Sequence, residues 1–499
     1  MSPDSRKVGG QFAKGSIIGI LMVVIGYGTQ YIFNILTIRL LNPYDAGVFF
    51  TYFSILSFLA IFSRYGLDRL GLRKIAIFQR KNNIHLIRTL FKKYSLFIVS
   101  LSLFLSILML FFKELIFLRV DHNSNFAYVF LILSLPGFSL VFAIGQYLRA
   151  IKKVGKSSLV HLVLFYGIII TLLLFLLPFK SININLLSIC FFISSIITPI
   201  IGITIFNRNL KISQFNDNAE NFSLKKSLKE APGILGVNFL TYVITGIDIL
   251  IIGFLASKPE VAYYSAAART VLVGSIALVG VNSIMAPLVA SAYDSGDKKQ
   301  LIEIIGMSAR WCLTLASISS VILFFTSDFI FQLFGFESNS AILYMYILLI
   351  SQIVNSSTGS VSLVLQMTNN EKGIAYILTI IVLLMLPSYL LLVSFYGGIG
   401  AALVTAIGQI CWNIGMVIYA RKKLGFKTYA NNKFKVSIYV AINLILSIVF
   451  HKYHISLITF IVLFIFTTPI IGWKFLLLED DRLLIKNLLK KKRGLHEKI

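Results

Sequence analysis

The amino-acid sequence predicts an all-α, polytopic membrane protein of about 14 transmembrane helices: two six-helix lobes around a central cavity, plus two extra C-terminal helices. Three observations predict it. Of the 499 residues, 57% are hydrophobic and only 13% charged, with a mean hydropathy of +0.85; an ordinary soluble domain carries about 25% charged residues. Apolar runs recur along nearly the whole chain, many near the ~20 residues a helix needs to cross the hydrocarbon core. The basic residues cluster in alternate gaps between those runs. A secreted enzyme, a disordered tail protein and a nucleic-acid binder all fit this composition poorly.

The helices follow in order. The first is expected over 15–38, behind Arg6, Lys7 and Lys14. It is longer than the ~7–15-residue core of a signal peptide and ends without a small-residue cleavage site, so it reads as a retained span. Further spans are expected over 47–72, 94–112, 126–148, 157–178 and 186–206, completing an N-terminal lobe over 1–206. A polar, charged linker over 207–233 separates this lobe from a second one over 234–420, with spans at 234–256, 263–290, 311–325, 341–365, 374–393 and 399–420. An extra helix pair at 436–450 and 455–473 lies within 421–473, and a basic tail covers 474–499.

Orientation follows from the basic residues. With both termini on one side, the gaps facing that side hold 37 of the 46 Lys and Arg, the opposite loops hold six, and three lie within helices. Basic loops stay on the cytoplasmic face, so both termini are expected there. The same charges attract anionic membrane lipids, which accounts for the net charge of +26 without a polyanionic partner. Cys190, Cys312 and Cys411 lie inside apolar runs and read as small buried side chains, with neither disulfide nor metal spacing. No cofactor is expected. The stretch 150–157 (AIKKVGKS) imitates a phosphate-binding loop, but it bridges two apolar runs and lacks the nucleotide-binding domain such a loop needs.

An internal repeat supports the two lobes. Shifted by 214 residues, 34–76 lies on 248–290 without a gap. Each stretch runs helix end, proline-bearing loop (Pro43, Pro259), aromatic pair (Phe49 and Phe50, Tyr263 and Tyr264), then a second helix. Only 6 of 43 positions are identical, so the argument rests on spacing. Six helices per repeat give both lobes the same orientation, with a cleft between them.

Ionised side chains are costly in a bilayer, about 2.5–3.5 kcal/mol at a helix centre on insertion scales, and mark protein interiors or wet cavities. Those expected within spans are Arg64, Asp68 and Arg69 in the second, Asp248 in the seventh and Arg269 in the eighth. One reading is a cationic cavity that receives a phosphate-bearing substrate, because guanidinium forks match phosphate oxygens. The other is structural pairing, Arg64 with Asp68 four residues on and Asp248 with Arg269 across their hairpin. Amides at Asn34, Gln146, Asn238, Asn282, Gln352, Asn355, Gln409 and Asn413 suit sugar hydroxyls equally as they suit helix-to-helix glue.

The stretch 39–47 (RLLNPYDAG), the helix closing on 66–74 (GLDRLGLRK), and 248–253 (DILIIG) followed by Tyr263, Tyr264, Ser265, Ala266 and Ala267 resemble bacterial polysaccharide (O-antigen) repeat-unit flippases. That family sits within the multidrug/oligosaccharidyl-lipid/polysaccharide exporter superfamily. The resemblance implies a non-enzymatic transporter in the bacterial inner membrane that moves an undecaprenyl-pyrophosphate-linked oligosaccharide from the cytoplasmic to the periplasmic leaflet by alternating access. It would serve O-antigen, lipopolysaccharide or capsule synthesis, alongside a polysaccharide polymerase machinery. It also implies that cavity arginines receive the pyrophosphate, and Arg64, Arg69 and Arg269 are the candidates by position. Asn34 and Asn238 are the sugar candidates among the amides above; Asp68 and Asp248 are structural pairing residues, or the ion-coupling residues of an antiporter of the same fold. Two rivals remain: an ion-coupled multidrug or cation antiporter of the same fold, and a membrane polymerase or ligase, against which the short outer loops argue.

Overall fold

A computed structural model describes residues 3–114, 125–179, 181–210, 222–274, 298–359, 361–368 and 370–425, with scattered positions between 281 and 296. The helix pair expected at 436–450 and 455–473, the basic tail and Asn282 lie outside the described residues. Among the described residues there are helices and no strands. Nine helices there are long and apolar enough to cross a membrane, and a bent pair supplies a tenth span. A multi-pass, all-α membrane protein is what the composition requires.

The elements are α1 (Pro3–Leu40), α2 (Pro43–Arg64), α3 (Leu67–Arg80), α4 (Ile84–Phe111), α5 (Asn125–Leu133), α6 (Leu135–Ala150), α7 (Val154–Leu176) and α8 (Ile184–Asn209). They continue with α9 (Leu224–Thr245), α10 (Asp248–Leu255), α11 (Lys258–Gly274), α12 (Lys298–Phe325), α13 (Ser327–Phe334), α14 (Asn339–Ser357), α15 (Val361–Met367) and α16 (Glu371–Leu424).

Several expected spans are broken, each for a local reason. The span expected over 47–72 stops at Arg64, because Tyr65 (φ 50°) and Gly66 (φ 76°) are both left-handed and end the α2 ladder. Arg64, Asp68 and Arg69 therefore sit on two helices. The expected 234–256 span divides into α9 and α10, bent by 60° around Gly246 and Ile247. Gly359 (φ 64°) follows α14, and Gly397 (φ 52°, ψ −132°) kinks α16 between the two spans expected there. Pro199 and Pro387 lie inside α8 and α16, whereas Pro136 sits in the first turn of α6, where its missing N–H costs nothing.

The chain packs as two compact units. The first comprises the described residues to Arg269 with Leu333–Phe336 and Leu384–Ala401; the second takes Thr270–Gln332, Glu337–Leu383 and the described residues from Ala402. The first unit is built around α2, buried over most of its length. Asn42 caps it by accepting from the Asp45 amide at 2.8 Å, and Pro43 pre-sets the first turn. Its aromatic face joins a cluster in which Phe53 lies 5.9 Å from Phe138 and 5.7 Å from Phe191. Its other face meets α10 and the start of α11 with almost no side chain between. A β-carbon on Gly47 would collide with the Lys258 carbonyl, and one on Gly253 would collide with Thr51. In membranes, where lipid is as apolar as leucine, such small-residue contacts are a main source of helix association.

In the second unit Met285, Ile305, Cys312 and Val364 share a buried cluster. Cys190 and Cys312 are buried, but Cys411 is exposed, a correction to the sequence reading. Apolar periodicity alone does not separate a protein-facing from a lipid-facing position when both surroundings are apolar.

The seam at Gly47 yields a stability prediction. Gly47→Leu should destabilise detergent-purified protein by about 1–3 kcal/mol, the usual cost of overpacking. Gly28→Leu, where nothing lies within 4 Å, should leave thermal unfolding unchanged.

Candidate functional site

The break after α2 builds the site. Because the chain reverses its local twist at Tyr65 and Gly66, α3 starts at a new angle and turns Asp68 back toward Arg64. The Gly66 position admits no β-carbon, which would press on the Ala231 carbonyl of α9 at 2.8 Å. α9 can therefore approach closely and bring Asn238, Thr241 and Tyr242 opposite the end of α2. The result is a cavity of about 320 Å³ inside the first unit.

Arg64 occupies its wall. Its Nε lies 3.5 Å from Asp68 Oδ2, with side chains 13% and 9% exposed, and its guanidinium carbon lies 5.0 Å from the Phe142 ring centroid. The charge is thus met by one carboxylate contact and one aromatic face, a weak pairing for a desolvated guanidinium. Its Nε is sealed from solvent and has no hydrogen-bond partner. Asp68 divides its interest, since Oδ1 accepts from the Arg69 amide at 2.9 Å. Across the cavity the Asn238 side-chain oxygen is also buried and unpartnered. Arg69 lines the rim and is exposed, while Gln146 and Thr241 add polar groups beside Phe138 and Phe142. A cation, amides and hydroxyls on an aromatic floor can take up an anionic group that carries sugar hydroxyls.

Arg269 lies on α11 in the same unit. Its Nε is likewise buried without a hydrogen-bond partner. Tyr242 lines the Arg64 cavity and donates to the Ser54 carbonyl at 3.2 Å.

The polysaccharide biosynthesis protein family model matches residues 12–292. The chain belongs to the polysaccharide biosynthesis protein family. The MatE family model matches 234–391. No curated protein sequence matches the chain. Among solved structures, the lipid II flippase MurJ in an inward closed conformation is 16% identical, with a TM-score of 0.65, over 96% of this chain and 99% of its own. An inward-facing multidrug resistance MATE transporter is 14% identical (TM-score 0.62; 82% of this chain, 98% of its own). A MOP superfamily transporter from Pyrococcus furiosus is 13% identical (TM-score 0.58; 83% and 96%). The fold is that of the MOP superfamily of membrane transporters.

Within this family member, the sequence-predicted residues fall into two groups. Arg64, Asp68, Arg69, Asn238 and Gln146 converge on one cavity. Asn34 does not line it; its side-chain amide donates to the Gln30 carbonyl at 2.9 Å, and Gln30 in turn donates to Tyr166 at 3.1 Å. Asp248 accepts from the Tyr264 hydroxyl at 2.7 Å and from the Ile249 amide at 2.9 Å. The amides of the second unit act as glue: Ser351 donates to Gln409 at 3.1 Å and Thr358 to Asn413 at 3.1 Å.

Sequence reasoning missed Phe138, Phe142 and Tyr242. A signal for them exists, since Phe138, Phe142 and Gln146 recur at four-residue spacing on α6, and Asn238 and Tyr242 do so on α9. Charge drew attention to the arginines, while the aromatic faces that receive them looked like ordinary membrane-helix composition.

The cavity can be probed by thiol labelling. In a Cys411→Ser background, Gln146→Cys should react readily with a small water-soluble thiol reagent. Ser63→Cys should stay unlabelled, because Ser63 is fully buried and bonded to Ser139 at 2.7 Å. Equal labelling of the two would contradict the geometry.

Proposed function

We propose that this protein is a flippase for an undecaprenyl-pyrophosphate-linked oligosaccharide, moving the repeat unit from the cytoplasmic to the periplasmic leaflet by alternating access during surface polysaccharide synthesis. The observation that carries the reading is Arg64: a buried guanidinium with an unpartnered Nε, loosely held by Asp68, in the wall of a polar cavity. In this reading Arg64 receives the pyrophosphate, Arg69 attracts it at the rim, and Arg269 takes it further along the path beside Tyr242. Asn238 hydrogen-bonds sugar hydroxyls, and Asn34 supports Gln30 and Tyr166. Asp68 keeps Arg64 charged and placed, and Asp248 locks the α10–α11 hairpin through Tyr264. The protein acts in a bacterial inner membrane with both termini cytoplasmic and hands its cargo to a polymerase machinery. Membership of the polysaccharide biosynthesis family and the MOP fold support this reading.

A second reading, an ion-coupled multidrug or cation antiporter, draws on the MatE match over 234–391. It suits the site less well, because the guanidinium of Arg64 would meet the cationic cargo.

Deleting the gene in its host and analysing surface glycan and lipid-linked intermediates distinguishes them. The flippase reading expects loss of surface glycan with repeat units retained on the cytoplasmic face. Intact glycan with altered drug sensitivity would favour the antiporter. In complementation, Arg64→Ala and Arg269→Ala should each cut glycan export by roughly tenfold or more, the scale of losing one hydrogen bond to a charged group. Normal export in both variants would sink the cationic-cavity assignment.

A further inference from the structure

A second recess lies on α4, apart from the Arg64 cavity. It has a volume of about 710 Å³ and is lined by Arg88, Lys92, Ser95, Leu96 and Val99, with Phe91 and with Asn207 of α8. Lys92, Ser95, Leu96 and Val99 fall at spacings of four, seven, eight and eleven from Arg88, so one face of α4 carries two cations and then apolar side chains. Phe91 stacks on the fully buried Phe206 with centroids 4.4 Å apart, which fixes the inner wall. Between the basic and apolar halves the Ser95 hydroxyl is sealed from solvent and has no hydrogen-bond partner. The same face continues beyond the recess as Leu103 and Ile107, 45% and 65% exposed.

Cations, then a lone hydroxyl, then hydrocarbon is the order of groups that complements a phospholipid lying along a helix. We infer that this recess holds one anionic phospholipid, its phosphate between Arg88 and Lys92, its ester region on the Ser95 hydroxyl and an acyl chain along Leu96, Val99 and Leu103. The charge balance selects the occupant. Among the described residues, no acidic residue lines the recess and neither Arg88 nor Lys92 is in an ion pair. A zwitterionic lipid would bring its own cation against Arg88 and Lys92. A soluble phosphate would leave the apolar half of the recess unused. Basic pockets between transmembrane helices bind anionic headgroups on the same principle, and the volume falls in the range of ordinary ligand sites.

The test uses the full-length protein purified in detergent, with phosphatidylglycerol, phosphatidylcholine and soluble glycerol 3-phosphate as probes, read by native mass spectrometry and thermal unfolding. Phosphatidylglycerol should stay bound and raise the unfolding midpoint. Phosphatidylcholine and glycerol 3-phosphate should do neither. Arg88→Ala/Lys92→Ala should weaken phosphatidylglycerol binding by about tenfold or more. Arg88→Gln/Lys92→Gln, which keeps side-chain bulk, should do the same if the alanine pair fails to fold. Lys152→Ala/Lys153→Ala, an exposed basic pair elsewhere, should bind as the parent does. Undiminished binding in the glutamine pair, or equal stabilisation by phosphatidylcholine or by glycerol 3-phosphate, would overturn the assignment.

Discussion

The first unit depends on how it accommodates a guanidinium at the end of its most buried helix. α2 is almost wholly enclosed, and its last residue is Arg64. In a membrane protein that charge has no bulk water to return to, so the surrounding structure must supply a substitute. The left-handed pair Tyr65 and Gly66 does so. By ending α2 there, it redirects α3 so that Asp68 comes within 3.5 Å of Arg64. An unbroken helix would also place residues 64 and 68 on one face, but it would leave no room for α9 at Gly66, and the cavity opposite would close. The break thus satisfies the charge in part and leaves part of it open to the cavity.

The second requirement is close helix approach, and it explains why the stretches that resemble polysaccharide flippases look as they do. In 39–47, Asn42 and Pro43 start α2 and Gly47 lets it touch the backbone at Lys258. In 248–253, Asp248 ties α10 to α11 through Tyr264, and Gly253 seats Thr51. The two motifs, 200 residues apart, are the two sides of one seam. Their spacing in the chain repeats because the task repeats: α1 ends at Leu40 and α2 begins at Pro43, as α10 ends at Leu255 and α11 begins at Lys258.

Much of this was legible in the sequence, for definite reasons. Spans follow from apolar length, and the arginines stand out because a charge in a span needs a cause. Breaks within spans were not legible. The 47–72 and 234–256 runs are long and mostly apolar despite the charges in them, and hydropathy does not register a change of backbone conformation at Tyr65 or Gly246. Burial was also illegible where lipid and protein are equally apolar, as at Cys411. The role of each amide depends on what lies across from it, which no single helix reveals. Gln409 and Asn413 find hydroxyls and become glue, whereas Asn238 finds open space beside a guanidinium.

The looseness of the Arg64–Asp68 contact bears on what the cavity can do. A bidentate pair at short range would satisfy both groups and leave little for a ligand. At 3.5 Å through Nε, with Asp68 also engaged by the Arg69 amide, the pair offsets the burial of charge without consuming the guanidinium's donors. Phe142 adds an attraction that involves no donor at all. An arriving phosphate would therefore gain hydrogen bonds that the resting site does not make, and Arg64 would not have to break strong ones to form them. Tight resting pairs suit a structural charge, such as Asp248 with its 2.7 Å bond from Tyr264. Loose ones suit a charge that must bind and then release its cargo.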